Sequence, residues 1–240
     1  ADVLGCTPAE IVFTGCGSES DNLAVRGVAW AMRAAGRGQH IVTSAIEHHA
    51  VERTVEALVT HHGFDATFVP VDNQGQVDPQ SVVAALRPDT VLVSIIYANN
   101  EVGTIQPVGE IGRICRERDI PFHTDAVQAA GWLPLGVDDL NLTLLSLGAH
   151  KFYGPKGVGA LYVREGTPLL PTLTGGGHEG GRRAGTENVA YLVGMAVALQ
   201  RVQARRVQEN ARVEALRERL IEGVLASIPH VYLTGHRTAR

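Results

Sequence analysis

Apolar positions recur along this chain in two rhythms. Short β-branched runs bounded by glycine, proline, asparagine or aspartate alternate with stretches in which apolar residues return every three to four positions. The first rhythm predicts strands at 11–14, 40–45, 64–70, 90–97, 120–124, 141–147 and 158–163, with one more beginning at 231–233. The second predicts helices at 21–35, 47–62, 78–86 and 108–118. A long helical region is then expected from Thr186 to about 227, broken near Arg205, with Val202, Val207, Val213, Leu216 and Leu220 among its buried positions. Residues 90–97, TVLVSIIY, are apolar almost throughout, as in a strand buried on both faces of a parallel sheet. Strand and helix alternate, so the expected fold class is α/β, a mainly parallel sheet flanked by helices.

Composition narrows this little. A chain of 240 residues can hold one large domain, or one domain and part of another. Apolar residues at 45% and charged residues at 19% fit a soluble globular protein, and a net charge of -4 with no basic patch argues against a nucleic-acid partner. No apolar run is long enough for a membrane span, and no signal-peptide pattern opens the chain. Cys6, Cys16 and Cys115 form neither a metal-spaced pair nor an even disulfide framework, so a reducing cytoplasm is expected. The opening residues read as the tail of a helix, which suggests a piece of a longer protein.

The chemistry begins at 144–159, LLSLGAHKFYGPKGVG. Lys151 and Lys156 are the only lysines, whereas the other nineteen cationic side chains are arginine. An amine can lose its proton and attack a carbonyl; a guanidinium cannot. Schiff-base chemistry is therefore suspected, against the plainer readings of two surface lysines or a phosphate-binding Lys156. The Walker pattern fails, because no Ser or Thr follows Lys156.

Further candidates stand at predicted strand ends, where ligands collect in open parallel sheets. Gly17 and Ser18 lie in a glycine turn before a helix, an arrangement that binds phosphate or is simply a turn. His48 could begin a helix or cover a planar cofactor, and its spacing from His49 fits no metal motif. Asn100 follows the apolar strand, where an asparagine-rich turn explains it equally well. Asp125, with Gln128 three residues on, is either a cap or the acidic partner of the ring nitrogen of pyridoxal phosphate. Such a pair at about 4 Å and an effective dielectric near 20 is worth roughly 4 kcal/mol, or about three pKa units.

The segments TSAIEHHAV, ANNEVGTIQP, HTDAVQAAG, AHKFYGPKGVGALYVR and GGGHEGGRRAGTENV together resemble the cysteine desulfurases of the NifS and IscS type, pyridoxal-phosphate enzymes of fold type I and aminotransferase class V. The likeness runs in order from Ile11 to about Gly194. It implies a large cofactor-binding domain over 1–205 and the start of a small C-terminal domain over 206–240. It implies that Lys151 holds the cofactor and moves protons, that His48 stacks on the pyridine ring, and that Asp125 partners its nitrogen. Gln128 and Asn100 fall near the phenolic oxygen and the substrate, and Gly17, Ser18 and His150 fall at the phosphate. Thr186 matches a residue that reaches the phosphate of a partner subunit, which implies a homodimer. The substrate implied is L-cysteine, with alanine as one product and sulfur passed as a persulfide to an acceptor or scaffold protein of iron–sulfur assembly, or to tRNA thiolation.

Two departures stand out. Gly148 occupies a position where that family usually has a phosphate-touching serine, and Ser18 replaces a threonine. The family's acceptor cysteine and carboxylate-binding arginine belong to a C-terminal region beyond residue 240, and none of the three cysteines here matches the acceptor. Selenocysteine lyases and aminotransferases of the same class would use the same lysine and aspartate. Outside this class, the sequence is also compatible with a non-catalytic interaction protein and, more remotely, with a nucleotide-binding P-loop protein.

Overall fold

A computed structural model describes all 240 residues. Seven strands form one sheet: β1 (Ile11–Thr14), β2 (His40–Ser44), β3 (Asp65–Val69), β4 (Thr90–Ser94), β5 (Phe122–Asp125), β6 (Leu144–Gly148) and β7 (Gly159–Val163). Their order is β1-β7-β6-β5-β4-β2-β3. Pairing is parallel from β3 through to β6, while β7 runs antiparallel to both β6 and β1. The two reversals cancel. Strands β1 to β6 therefore all end on one edge of the sheet.

Helices α1 (Gly17–Ala34) and α2 (His49–His62) cover one face, and α3 (Pro79–Ala85), α4 (Val108–Arg116) and α5 (Val189–Ser227) belong to the other. The strands explain why both faces need cover. Ile41, Leu92 and Leu144 point to Leu23, Val28 and Val55, whereas their neighbours Val42, Val93 and Leu145 belong to the core shared with Val82, Ile111 and Met195. That is the period of two expected of a strand, here with both phases apolar. Each such side chain, fully buried, contributes about 1.5–3 kcal/mol.

Several boundaries differ from the sequence expectation. Helix α1 begins at Gly17, not at 21, so the glycine turn is its first turn. Strand β6 begins at Leu144, because Asn141 has a positive φ of 55° that no strand continues. Helix α5 starts at Val189, where Asn188 accepts from the Tyr191 amide, and Thr186 lies in the loop before it. It is unbroken at Arg205, since its interior holds no proline and is rich in alanine, leucine, arginine and glutamate. Val202 and Val213 are half-buried, but Val207, Leu216 and Leu220 are exposed, because the helix runs past the sheet after Gln203 and Asn210 bond to the 130–133 turn. Residues 231–233 find no strand to pair with, and the following segment instead bonds to the 104–105 loop. The opening residues form turns, not a helix tail.

Candidate active site

The edge on which β1 to β6 end carries a cleft of about 200 Å³. Gly17, Ser18, His48, Asn100, Asp125, Gln128, His150 and Lys151 all line it. Thr186 does not; it lies in an exposed loop.

At one end is the start of α1. Cys16 caps the helix without any side-chain bond, so the first-turn amides point outward with the positive end of the helix dipole. The turn is fixed from several sides. Glu19 accepts from the Gly15 amide at 2.6 Å and pairs with Arg183 at 2.7 Å, and Thr14 Oγ1 meets Ser20 Oγ at 2.7 Å. A Cβ on Gly17 would stand 2.5 Å from Val127 Cγ2, so only glycine leaves this turn against the Asp125 loop without moving valine. Ser18 adds a hydroxyl and His150 an imidazole, and Lys151 and Lys156 lie near enough to affect it. Burial, helped by those two positive charges, lowers the His150 pKa. This end suits an anion.

Asp125 also lines the cleft, 4% exposed at the end of β5. Its Oδ1 accepts from the Val127 amide at 2.8 Å, so it closes its own turn while facing the cleft. Burial raises its pKa, and the Val127 amide, His48 and Lys151 oppose that rise. His48 is the cap of α2, its Nδ1 accepting from the Ala50 amide at 3.1 Å. Gln128 keeps a buried Oε1 with no protein partner. Of the two asparagines, Asn99 is the turn former: it accepts from the Glu101 and Val102 amides and donates to Ile46 O, which leaves Asn100 on the cleft. Lys151 follows β6 on a short 3-10 turn and is exposed.

Asp21, His48 and Asp125 each place one ligating atom within 4.8 Å of the other two. A metal is nevertheless poorly served. With His48 Nδ1 already accepting a hydrogen bond, the neutral ring carries its proton on Nε2 and has no lone pair to offer there. The donor set instead fits a planar ring bearing an anionic group: helix-start amides and cations, a buried carboxylate, an imidazole and an unpaired buried amide oxygen all line one cleft.

Sequence reasoning missed four contributors. Asp21 and Cys16 line the cleft, and Glu47 lies buried behind it. A signal for Asp21 existed: an acidic residue on the face that continues through Ala24, Val25 and Val28, where an apolar one belongs. The fourth is the 175–185 loop, which entered the sequence analysis only as part of the segment GGGHEGGRRAGTENV, with no contact assigned to it. It is tied to the sheet edge through Glu179 accepting from Phe13 N, Arg182 donating to Ala9 O and the Arg183–Glu19 pair.

The profile of aminotransferase class V matches residues 1–240. The chain belongs to the class-V aminotransferase family. Among curated relatives of this class-V chain, the cysteine desulfurase IscS of Methanosarcina thermophila is 52% identical over the whole chain, which spans 58% of that relative's length. A solved NifS-like protein superposes with a TM-score of 0.90 at 42% identity, over 94% of this chain and 62% of that one. A structure described as SspA in complex with cysteine superposes with a TM-score of 0.79 at 46% identity, over 83% and 57% of the two chains. The mostly parallel sheet of this class-V member is thus the fold of the NifS-like proteins.

Proposed function

We propose that residues 1–240 are the cofactor-binding part of a pyridoxal-phosphate-dependent cysteine desulfurase. What supports this most is the convergence of eight residues, from five separate strand ends, on one cleft that joins a helix start suited to an anion with a buried carboxylate. When bound, the cofactor supplies an electron sink for bonds at the substrate's α-carbon. The chain supplies the rest. Gly17, Ser18 and His150 would hold the phosphate, Asp125 would accept from the ring nitrogen, and His48 would cover the ring. Gln128 and Asn100 would offer it polar groups. Lys151 Nζ would anchor the cofactor and, as a free amine, would carry a proton to or from the α-carbon.

L-Cysteine as substrate is suggested by the names of the relatives and by the cysteine complex of the SspA structure. The sulfur would leave as a persulfide for an acceptor or scaffold protein of iron–sulfur assembly, in the cytoplasm. A homodimer would give exposed Thr186 its role at a partner's phosphate. On this reading 1–205 form the large domain and 206–240 begin a second one, and the exposed far half of α5 is the surface that second unit would cover.

The test is covalent trapping. Borohydride reduction of the full-length protein loaded with pyridoxal phosphate should leave the pyridoxyl group on Lys151 alone; label on Lys156, or none, would overturn the assignment. A second expectation concerns Gly148. A Cβ there would stand 3.4 Å from Gly17 N and 3.2 Å from Val127 Cγ1, with an ordinary extended backbone. Serine therefore fits once Val127 yields by a few tenths of an ångström, and its hydroxyl lies beside the phosphate amides. Gly148→Ser is expected to tighten cofactor binding about fivefold, the worth of roughly one neutral hydrogen bond. Equilibrium titration measures this, and unchanged affinity would mean that Ser18 and the helix start already suffice.

A further inference from the structure

Asp21 is the one ionisable group buried at the cleft that the proposed reaction leaves without a task. It is 1% exposed, one turn inside α1, and its Oδ1 has no hydrogen-bond partner. Asp125 and Glu47 are buried nearby, so three carboxyl groups share one buried region beside the cleft. The other groups that face Asp21 are Cys16 from its own helix start, His123 from β5, Ser146 from β6, and His48 with Lys151 on the open side.

His123 brings no compensating charge. Its Nδ1 meets Ser94 Oγ at 2.8 Å and its Nε2 meets Ser146 Oγ at 2.9 Å, and burial pushes the imidazole down to about 3. Its 3.7 Å approach to Asp21 is therefore not an ion pair. The positive charge of Lys151 acts on Asp125. Asp21 and Asp125 oxygens lie within 4.8 Å of each other. Two full charges at that distance repel by about 3.5 kcal/mol at an effective dielectric near 20. One of the two must then hold a proton. Asp125 has the Val127 amide and the Lys151 cation; Asp21 has no cation of its own and carries an unpaired oxygen. Burial and the Asp125 charge raise Asp21 well above the usual carboxylate range, in the same sense.

We propose that Asp21 is a positioning residue of this site, a neutral carboxylic acid standing behind Asp125 that leaves Asp125 the single anion facing the cofactor's ring. The purpose assigned to Asp125 rests on the cofactor reading; the proton on Asp21 does not. Replacing Asp21 by asparagine keeps shape and neutrality. Replacing it by alanine opens a space beside Asp125.

The experiment uses the full-length protein labelled with 13C-aspartate, with and without pyridoxal phosphate, at neutral pH. Infrared spectra should show a label-sensitive protonated carboxyl band that Asp125→Asn keeps and Asp21→Asn removes. Asp21→Asn should hold cofactor affinity within about threefold of wild type, while Asp21→Ala should weaken it about tenfold, the equivalent of about 1.4 kcal/mol. A wild-type spectrum without that band, or a band lost with Asp125 instead, overturns the proposal, as does a tenfold loss of affinity in Asp21→Asn. Should Asp21→Asn not fold, the band in the labelled Asp125→Asn protein still decides. If the wild type shows the band at Asp21 but binds no pyridoxal phosphate, the cofactor reading fails and the neutral Asp21 stands.

Discussion

Asp125→Ala is expected to lower affinity for pyridoxal phosphate by about a thousandfold while leaving the cofactor-free protein at least as stable as wild type. The two halves of this expectation have one cause. Asp125 sits 4% exposed at the end of β5, its charge met within the protein by the Val127 amide and partly by Lys151. A protonated ring nitrogen about 4 Å away is worth roughly 4 kcal/mol at an effective dielectric near 20, or about three powers of ten in binding. Without that nitrogen the same carboxylate is a buried charge with too few partners, and removing it relieves a desolvation cost. A residue kept only to close its turn would behave in the opposite way, lowering stability and sparing affinity. Fluorescence titration with the cofactor and thermal melting of the cofactor-free protein separate the two, and near-normal affinity in Asp125→Ala would remove it from the site.

The parts of this protein that were legible in its sequence are those in which one local pattern meets one physical demand. Residues 90–97 read as a doubly buried strand because both phases are apolar, and β4 with its neighbours is buried at every position. The candidate residues were legible because an open parallel sheet delivers every strand end to one edge, so Asp125 and His150 needed no contact information to be placed together. What stayed hidden depends on contacts between distant segments. Ser18 looks like turn chemistry until Val127 is packed on Gly17, and the glycines of 175–185 look mobile until Glu179 takes the Phe13 amide of an edge strand. The burial of Glu47 is hidden for the same reason: beside two histidines at a helix start it looks solvated, and only the Ile96 amide, 49 residues on, draws it inside.

That burial leads to an expected pH dependence. Glu47 accepts through Oε1 from the Ser44 hydroxyl and from the Ile96 amide at 2.9 Å, while Oε2 has no partner. Burial outweighs those bonds and raises its pKa from 4.5 to about 8. Between those two values the folded protein holds a proton that the unfolded chain has lost, so stability falls as pH rises through this window. The gap, at about 1.4 kcal/mol per pH unit, amounts to about 5 kcal/mol at its full extent. The raised carboxyl of Asp21 adds a slope of the same sign. Two groups work oppositely: Asp72, held below its ordinary value by the Gln76 and Gln74 amides, only in acid, and His123, which burial pushes from 6.5 down to about 3, below about pH 6.5, so the Glu47 slope stands alone only above that. Glutamine at position 47 keeps an oxygen for Ser44 and Ile96 but cannot ionise. Glu47→Gln should therefore flatten the curve between about pH 6.5 and 8 and overtake wild type at the alkaline end by several kcal/mol, roughly, in urea denaturation. A wild-type curve that is already flat between about pH 6.5 and 8, or a variant that keeps the wild-type slope there, would show that Glu47 is charged in the folded protein and that water reaches Oε2.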